Sequence, residues 1–113
     1  MRSPQLPNSA ARELHLLRIL EREPDLTQRQ LARQAGVSLG GVNHCLSALV
    51  EKGLVKVKSF AKSPNKIRYA YVLTPYGVAE KAVLTRRFLA SKLAEYEALR
   101  VEIEGLVAEA NRL

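Results

Sequence analysis

The chain has 113 residues, only 5% of them aromatic and none Trp, which is the size of one domain with a small core of Leu, Val and Ala. One Cys excludes a disulfide framework, and no apolar run is long enough to span a membrane. The net charge is +7, with 16 Lys and Arg against 6 Asp and Glu in residues 1–92, but 2 against 5 in residues 93–113.

This basic body favours a polyanionic partner such as nucleic acid. The single Cys fits a reducing compartment, and the first ten residues lack the apolar segment of a signal peptide. We therefore expect a cytoplasmic protein.

The N-terminal quarter predicts a tail and one amphipathic helix. Residues 1–8 contain two Pro and predict a flexible tail. A helix is expected over about residues 9–23, capped by Ser9 and ended by Pro24. Its apolar face carries leucines at threefold spacing, namely Leu14, Leu17 and Leu20.

Two short helices follow, over about residues 27–35 and 38–52. Thr27 and Gln30 have the spacing of a capping box, and Gly36 is placed to end the first of the two helices. Two short helices joined by a tight turn that contains Gly predict a helix-turn-helix.

A β-hairpin with a turn at residues 63–65 is expected over about residues 54–73, because apolar residues alternate with polar ones there. We call this hairpin the wing. No acidic residue lies between Glu51 and Glu80, whereas ordinary surfaces mix their charges. One-signed charge beside a helix-turn-helix suits contact with DNA phosphates. The basic residues are Lys52, Lys56, Lys58, Lys62, Lys66 and Arg68.

A long helix is predicted over residues 75–113, with Thr74 as its N-cap and Pro75 in its first turn. Its second half carries apolar residues at coiled-coil spacing. This stripe either folds back on the body or pairs with a second chain, and we favour a homodimer. The predicted dimerisation residues are Leu89, Leu93, Tyr96, Leu99, Ile103, Leu106 and Ala110.

Two consecutive glycines, Gly40 and Gly41, fall in the first turn of the second short helix. Each costs about 1 kcal/mol relative to Ala, which suggests that an outside partner approaches closely. Alternatively, Gly41 only allows the two short helices to cross tightly. The polar face of this helix also carries Asn43, His44 and Ser47, which can hydrogen-bond to base edges, although a solvated face would contain the same residue types.

The adjacent His44 and Cys45 give only a weak indication of a metal site, because neighbouring helical residues point about 100° apart. The only other His is His15. Cys45 falls on the apolar side of its helix and is predicted to be a core residue. We expect no metal, no cofactor and no enzymatic activity.

The segment "LTQRQLARQAGVSLGGVNHCLSALVEKGLVKV", followed by a basic hairpin and "YVLTPYG", resembles the winged helix of MarR-type bacterial transcriptional regulators. The nearest similarity is to the short MarR-like regulators associated with exopolysaccharide gene clusters, which share a stretch like "AEKAVLTRRFLASKL". This resemblance covers about residues 10–95. It implies a mostly helical winged helix-turn-helix over residues 9–74 and a dimerisation helix over residues 75–113.

The resemblance also implies that the second helix of the helix-turn-helix lies in the major groove of duplex DNA, with the wing on the minor groove or the backbone. The residues expected at the bases are Leu39, Gly40, Asn43, His44 and Ser47. Those expected at the backbone or in the wing are Thr27, Gln28, Arg29, Arg33, Ser38, Gly41, Lys56, Lys58, Lys62, Asn65, Lys66 and Arg68.

Two features depart from the resembled family. Many members carry Arg at the position of His44, so their base preference does not transfer. Larger members pair through helices from both termini and bind phenolic effectors near that junction, whereas here one short helix precedes the helix-turn-helix. The sequence identifies no effector. We expect a dimeric, sequence-specific transcriptional regulator; the alternative is a winged helix that docks onto an acidic protein.

Overall fold

The computed structural model describes residues 8–63 and 66–113, with the side chains of residues 8, 60–63 and 66–68 excepted. The elements in chain order are α1 (Asn8–Arg22), α2 (Gln28–Ala35), α3 (Leu39–Glu51), β1 (Val55–Ser63), β2 (Lys66–Leu73) and α4 (Pro75–Ala110). The predicted fold class, mostly helical with one hairpin and a long last helix, is confirmed. Of the predicted tail, residues 1–7 lie outside the described part, and Asn8 begins α1.

The core forms around α1, which contacts the other three helices and β2. Beyond the three predicted leucines, Leu16 and Ile19 are also buried in α1, because neighbouring elements cover more than one side of this helix. From α2 and α3, the core takes Leu31, Val42 and Leu49, each fully buried. The helix-turn-helix therefore packs on α1 through fully buried apolar side chains.

The boundaries of α2 and α3 follow from their caps. The Thr27 hydroxyl accepts a hydrogen bond from the Gln30 backbone N–H at 3.1 Å, and the Gln30 side chain accepts one from the Thr27 N–H at 2.9 Å. This is the predicted capping box. Gly36 ends α2 with a φ of 69°, a left-handed conformation that favours glycine. Ser38 then caps α3.

The wing is a two-stranded antiparallel hairpin in which Val55 pairs with Leu73 and Val57 with Tyr71. Its base packs on the core through Val55, Tyr71 and Leu73. Farther out, Tyr69 is 54% exposed, so the hairpin leaves the body about halfway along its length. The predicted turn includes Pro64 and Asn65, which lie outside the described residues.

The long helix α4 leaves the body and projects from it. Its 36 residues correspond to about 54 Å, in a molecule with extents of 75 × 26 × 21 Å. Every residue from Tyr96 onward is exposed, so the alternative of a helix folded back on its own body is wrong. The helix ends at Ala110 rather than residue 113. None of the described helices combines the length and the hydropathy needed to cross a membrane.

Candidate nucleic-acid interface

The first turn of α3 is open at Gly40. A Cβ built on Gly40 would meet no atom within 4 Å, so nothing in the described fold requires a glycine there. A Cβ on Gly41 would lie 3.1 Å from the Ser38 hydroxyl oxygen, which caps the same helix. The atom closest to this Cβ therefore belongs to the N-cap of α3 and not to α2. A tight crossing of the two short helices does not explain Gly41.

The polar face of α3 borders a groove of about 360 Å³ between the helix-turn-helix and the base of the wing. Asn43 and Ser47 line this groove from α3, and Val57 and Tyr71 line it from the wing. The remaining lining residues are Gln28, Leu46, Val50 and Glu51. Two of the predicted base-contacting residues thus face the wing across one groove.

His44 and Leu39 are exposed on the same helix but do not line the groove. Cys45 is 8% exposed and belongs to the core, as predicted. Among the described residues, no group of three or more His, Cys, Asp or Glu side chains is placed to hold a metal ion.

A hydrogen bond joins the helix-turn-helix to the wing across this groove. The Gln28 side-chain amide donates to the Tyr71 hydroxyl at 2.9 Å, and the pair is partly buried. Gln28 is the first residue of α2 and was expected at the DNA backbone, whereas its side chain here holds the wing. The two residues lie 43 positions apart, and no local sequence pattern predicts their contact.

The lysines beside the wing differ in their surroundings. Lys52 forms an ion pair with Glu13 of α1, and this hydrogen bond raises the pKa of Lys52. Lys52 therefore already has a carboxylate partner. Lys56 and Lys58 are exposed, but they alternate with Val57 and so lie on the face of the hairpin turned away from the groove. The side chains of Lys62, Lys66 and Arg68 lie outside the described residues.

The exposed side of α2 adds positive charge and polar groups. Arg29 and Arg33 are exposed, and no described carboxylate forms an ion pair with either. The Thr27 and Ser38 hydroxyls accept their capping hydrogen bonds, which leaves the O–H of each free to donate outward. The arrangement can offer donors to phosphate oxygens next to a helix that can approach bases.

Residues 11–56 match the family model described as winged helix-turn-helix DNA-binding. No curated protein matches the chain in sequence. Among solved structures, the transcriptional regulator SlyA shares 20% identity and has a TM-score of 0.65, covering 89% of this chain and 70% of its own.

Two further structures carry bound molecules. FabT of Streptococcus pneumoniae, solved in complex with DNA, shares 23% identity with a TM-score of 0.56, covering 88% of this chain and 71% of its own. The MarR family protein Rv2887 of Mycobacterium tuberculosis, solved with p-aminosalicylic acid, shares 22% identity with a TM-score of 0.56, covering 88% and 77%. The chain therefore has the winged helix-turn-helix fold of the MarR-family regulators.

Proposed function

We propose that this protein is a transcriptional regulator that binds duplex DNA sequence-specifically as a homodimer. In this proposal, the polar face of α3 enters the major groove, where Asn43, His44 and Ser47 contact base edges. Leu39 and Gly40 lie against the same groove. Paired hydrogen bonds from Asn43 to adenine would contribute about 1 to 3 kcal/mol of discrimination.

The observation that carries the proposal is the open first turn of α3 beside a polar face that borders the wing. Gly40 has no neighbour to accommodate, and Asn43 and Ser47 line the groove shared with the wing. A glycine that the described fold does not need, in the first turn of a helix, suits close approach to a polyanion. The match to a DNA-binding family model and the DNA complex of FabT support the same function.

In this proposal, the surfaces on either side of α3 contact the DNA backbone. Arg29 and Arg33, with the hydroxyls of Thr27 and Ser38, face one strand in this proposal, and the wing faces the other. Gly41 lies close to the DNA backbone, and Gln28 contacts the DNA backbone in addition to its hydrogen bond with Tyr71. The remaining wing contacts come from Lys56, Lys58, Lys62, Asn65, Lys66 and Arg68.

The proposal assigns different roles to the two parts of the chain. Residues 9–74 form the DNA-binding unit, and residues 75–113 pair two copies through the exposed apolar stripe of α4. Side chains that are about half exposed in the single chain, such as Leu99, Ile103 and Leu106, become covered on pairing. A symmetric dimer requires an inverted-repeat site, with half-sites about 34 to 36 Å apart or a multiple of that spacing.

The finer resemblance supports a narrower proposal. The stretches "LTPYG" and "AEKAVLTRRFLASKL" are similar to those of the short regulators associated with exopolysaccharide gene clusters, and we propose that this protein belongs among them. A regulator of this kind acts in the cytoplasm, where the chromosome is.

Selection of bound duplexes from a random pool, followed by sequencing, tests the proposal as a whole. We expect an enriched inverted repeat with the half-site spacing given above. A pool that stays random after repeated rounds, while the protein remains folded, would contradict sequence-specific binding. An enriched single half-site would instead contradict the symmetric dimer.

The wing tip can be tested by its effect on the salt dependence of binding. Replacing Lys62 and Lys66 with Ala should weaken binding to all sequences and reduce the log–log salt slope by about 1.8, because each lost phosphate contact removes about 0.9. The measurement is a fluorescence-anisotropy titration at several salt concentrations.

Lys52→Ala is the matched control, because Lys52 pairs with Glu13 instead of a phosphate. We expect this variant to keep the wild-type slope. Equal salt slopes for the wild type, the double variant and Lys52→Ala would show that the wing tip does not contact DNA. A reduced slope for Lys52→Ala would show that Lys52 leaves its ion pair with Glu13 to contact a phosphate.

A further inference from the structure

The exposed stripe of α4 occupies three positions of a seven-residue repeat. With Tyr96 at position a, Leu89, Ile103 and Ala110 share that position, while Leu99 and Leu106 occupy position d. Position e adds Leu93 and Val107 beside them. The large side chains of this stripe are about half exposed or more in the single chain, so it is a surface without an intramolecular partner.

The two flanks of this stripe differ in charge. In the projecting part of α4, every g position is a glutamate, namely Glu95, Glu102 and Glu109. The e position between Glu95 and Glu102 is Arg100. In an antiparallel helix pair, g positions of one copy lie beside g positions of the other. Glutamates would then face glutamates along one side, and like charges disfavour that arrangement.

In a parallel pair, each g position lies beside the e position five residues later in the other copy. Glu95 then meets Arg100 of the partner copy. The Arg100 guanidinium already donates three of its N–H groups to Glu97 and Glu104 of its own helix, which leaves two for the partner copy. Charge complementarity therefore selects the parallel arrangement.

The start of the paired region is marked by Lys92, which occupies the d position before Leu99. Its ammonium lies 5.3 Å from the centre of the Phe88 ring and pairs with Glu95, so it is engaged within its own helix. Two lysines meeting at one d layer would repel each other, so the helices separate there. This is also the place where α4 leaves the body, because Ser91 is the last buried residue of the helix.

We propose that two copies of this chain pair through α4 as a parallel coiled coil from Tyr96 to the end of the helix, with both DNA-binding units at the same end. The proposal rests on the homodimer in the proposed function and specifies its geometry. An antiparallel pair would instead hold the two units at opposite ends of the paired helices. Parallel pairing brings the two units together, as adjacent half-sites require.

Disulfide trapping separates the two arrangements. In a Cys45→Ala background, Ala110→Cys places one thiol at an a position near the end of the helix. In a parallel pair the two thiols face each other, and mild oxidation should link nearly all of the protein into dimers. In an antiparallel pair overlapping by more than three turns, the two copies of residue 110 lie about 16 Å or more apart along the axis, beyond the roughly 7 Å that a disulfide spans between Cα atoms.

Ala108→Cys is the matched control, since residue 108 is an exposed alanine on the outer side of the same helix. We expect little linkage from this variant. A tagged Leu99→Cys protein mixed with Ala110→Cys tests the opposite arrangement. Efficient linkage of that mixture, without self-linkage at residue 110, would establish antiparallel pairing and overturn the proposal.

Sedimentation and DNA binding of the unoxidised proteins keep this result separate from the proposed function. A monomer in sedimentation would overturn the pairing altogether. A self-linked Ala110→Cys dimer that selects no DNA sequence would preserve the parallel pair and contradict the regulator. A dimer that selects an inverted repeat, but forms disulfides only in the mixture of Leu99→Cys and Ala110→Cys, would support the regulator and contradict the parallel pair.

Discussion

Gly77→Ala should destabilise the protein by about 3 kcal/mol, the largest stability effect expected from a single added methyl group. A Cβ at position 77 would lie 1.9 Å from the carbonyl oxygen of Leu54 and 2.9 Å from its carbonyl carbon. Both atoms belong to the backbone, and the same oxygen accepts a hydrogen bond from the Thr74 N–H at 3.0 Å. The clash can be relieved only by moving α4 away from the base of the wing. Urea denaturation followed by circular dichroism measures the loss.

Gly105→Ala is the matched control, since a Cβ at position 105 meets no atom within 4 Å and lies in the same helix. We expect this substitution to stabilise the protein by up to about 1 kcal/mol through helix propensity. If both variants gained stability alike, the close packing of α4 on Leu54 would not exist in solution.

The contact at Gly77 matters because it fixes where α4 begins relative to the helix-turn-helix and the wing. The Thr74 hydroxyl donates to the Gly53 carbonyl oxygen at 2.6 Å and accepts from the Gly77 N–H at 2.9 Å. One residue thus ties the end of α3, the end of the wing and the start of α4 together. Since α4 carries the proposed pairing surface, this junction sets the angle between that surface and the proposed DNA-binding unit.

Local chemistry made much of this fold predictable. The capping box at Thr27, the left-handed Gly36 and the Thr74 cap depend on neighbours within three or four residues. Those three signals placed the start and end of α2 and the start of α4 within one residue of the observed positions. The projecting apolar stripe of α4 was also visible, because its spacing does not depend on the rest of the chain.

Contacts between distant residues were not predictable in the same way. Lys52 was counted with the wing lysines, but α1 brings Glu13 to it from 39 positions away. The hydrogen bond between Gln28 and Tyr71 across the groove is likewise absent from any local pattern, and the predicted contact of Gln28 with the DNA backbone stays a prediction. The constraint on Gly77 also arises from another element, although a glycine in the first turn of a long helix was a visible signal of close packing.

The strongest test of the DNA interface is a substitution that the fold should accept and DNA should reject. Gly40→Glu adds a side chain where a Cβ meets no atom within 4 Å, in a first turn that contains no acidic residue. A carboxylate at the N-terminus of a helix is favourable by about 0.3 to 1 kcal/mol, so the thermal midpoint should be unchanged or higher. Against DNA, the same carboxylate occupies the space of close approach and repels phosphates.

We expect DNA affinity to fall by about 100-fold or more, because placing like charges together in an interface costs several kcal/mol. The matched control is Gly105→Glu, which makes the same change of net charge at an open position in α4. Anisotropy titrations at one salt concentration compare the two variants with the wild type. Gly105→Glu should bind within a few-fold of wild type, since its charge lies far along the projecting helix. If the two variants bound DNA equally well, the first turn of α3 would lie outside the interface, and the tolerance of Gly40 for bulk would reflect only an exposed helix end.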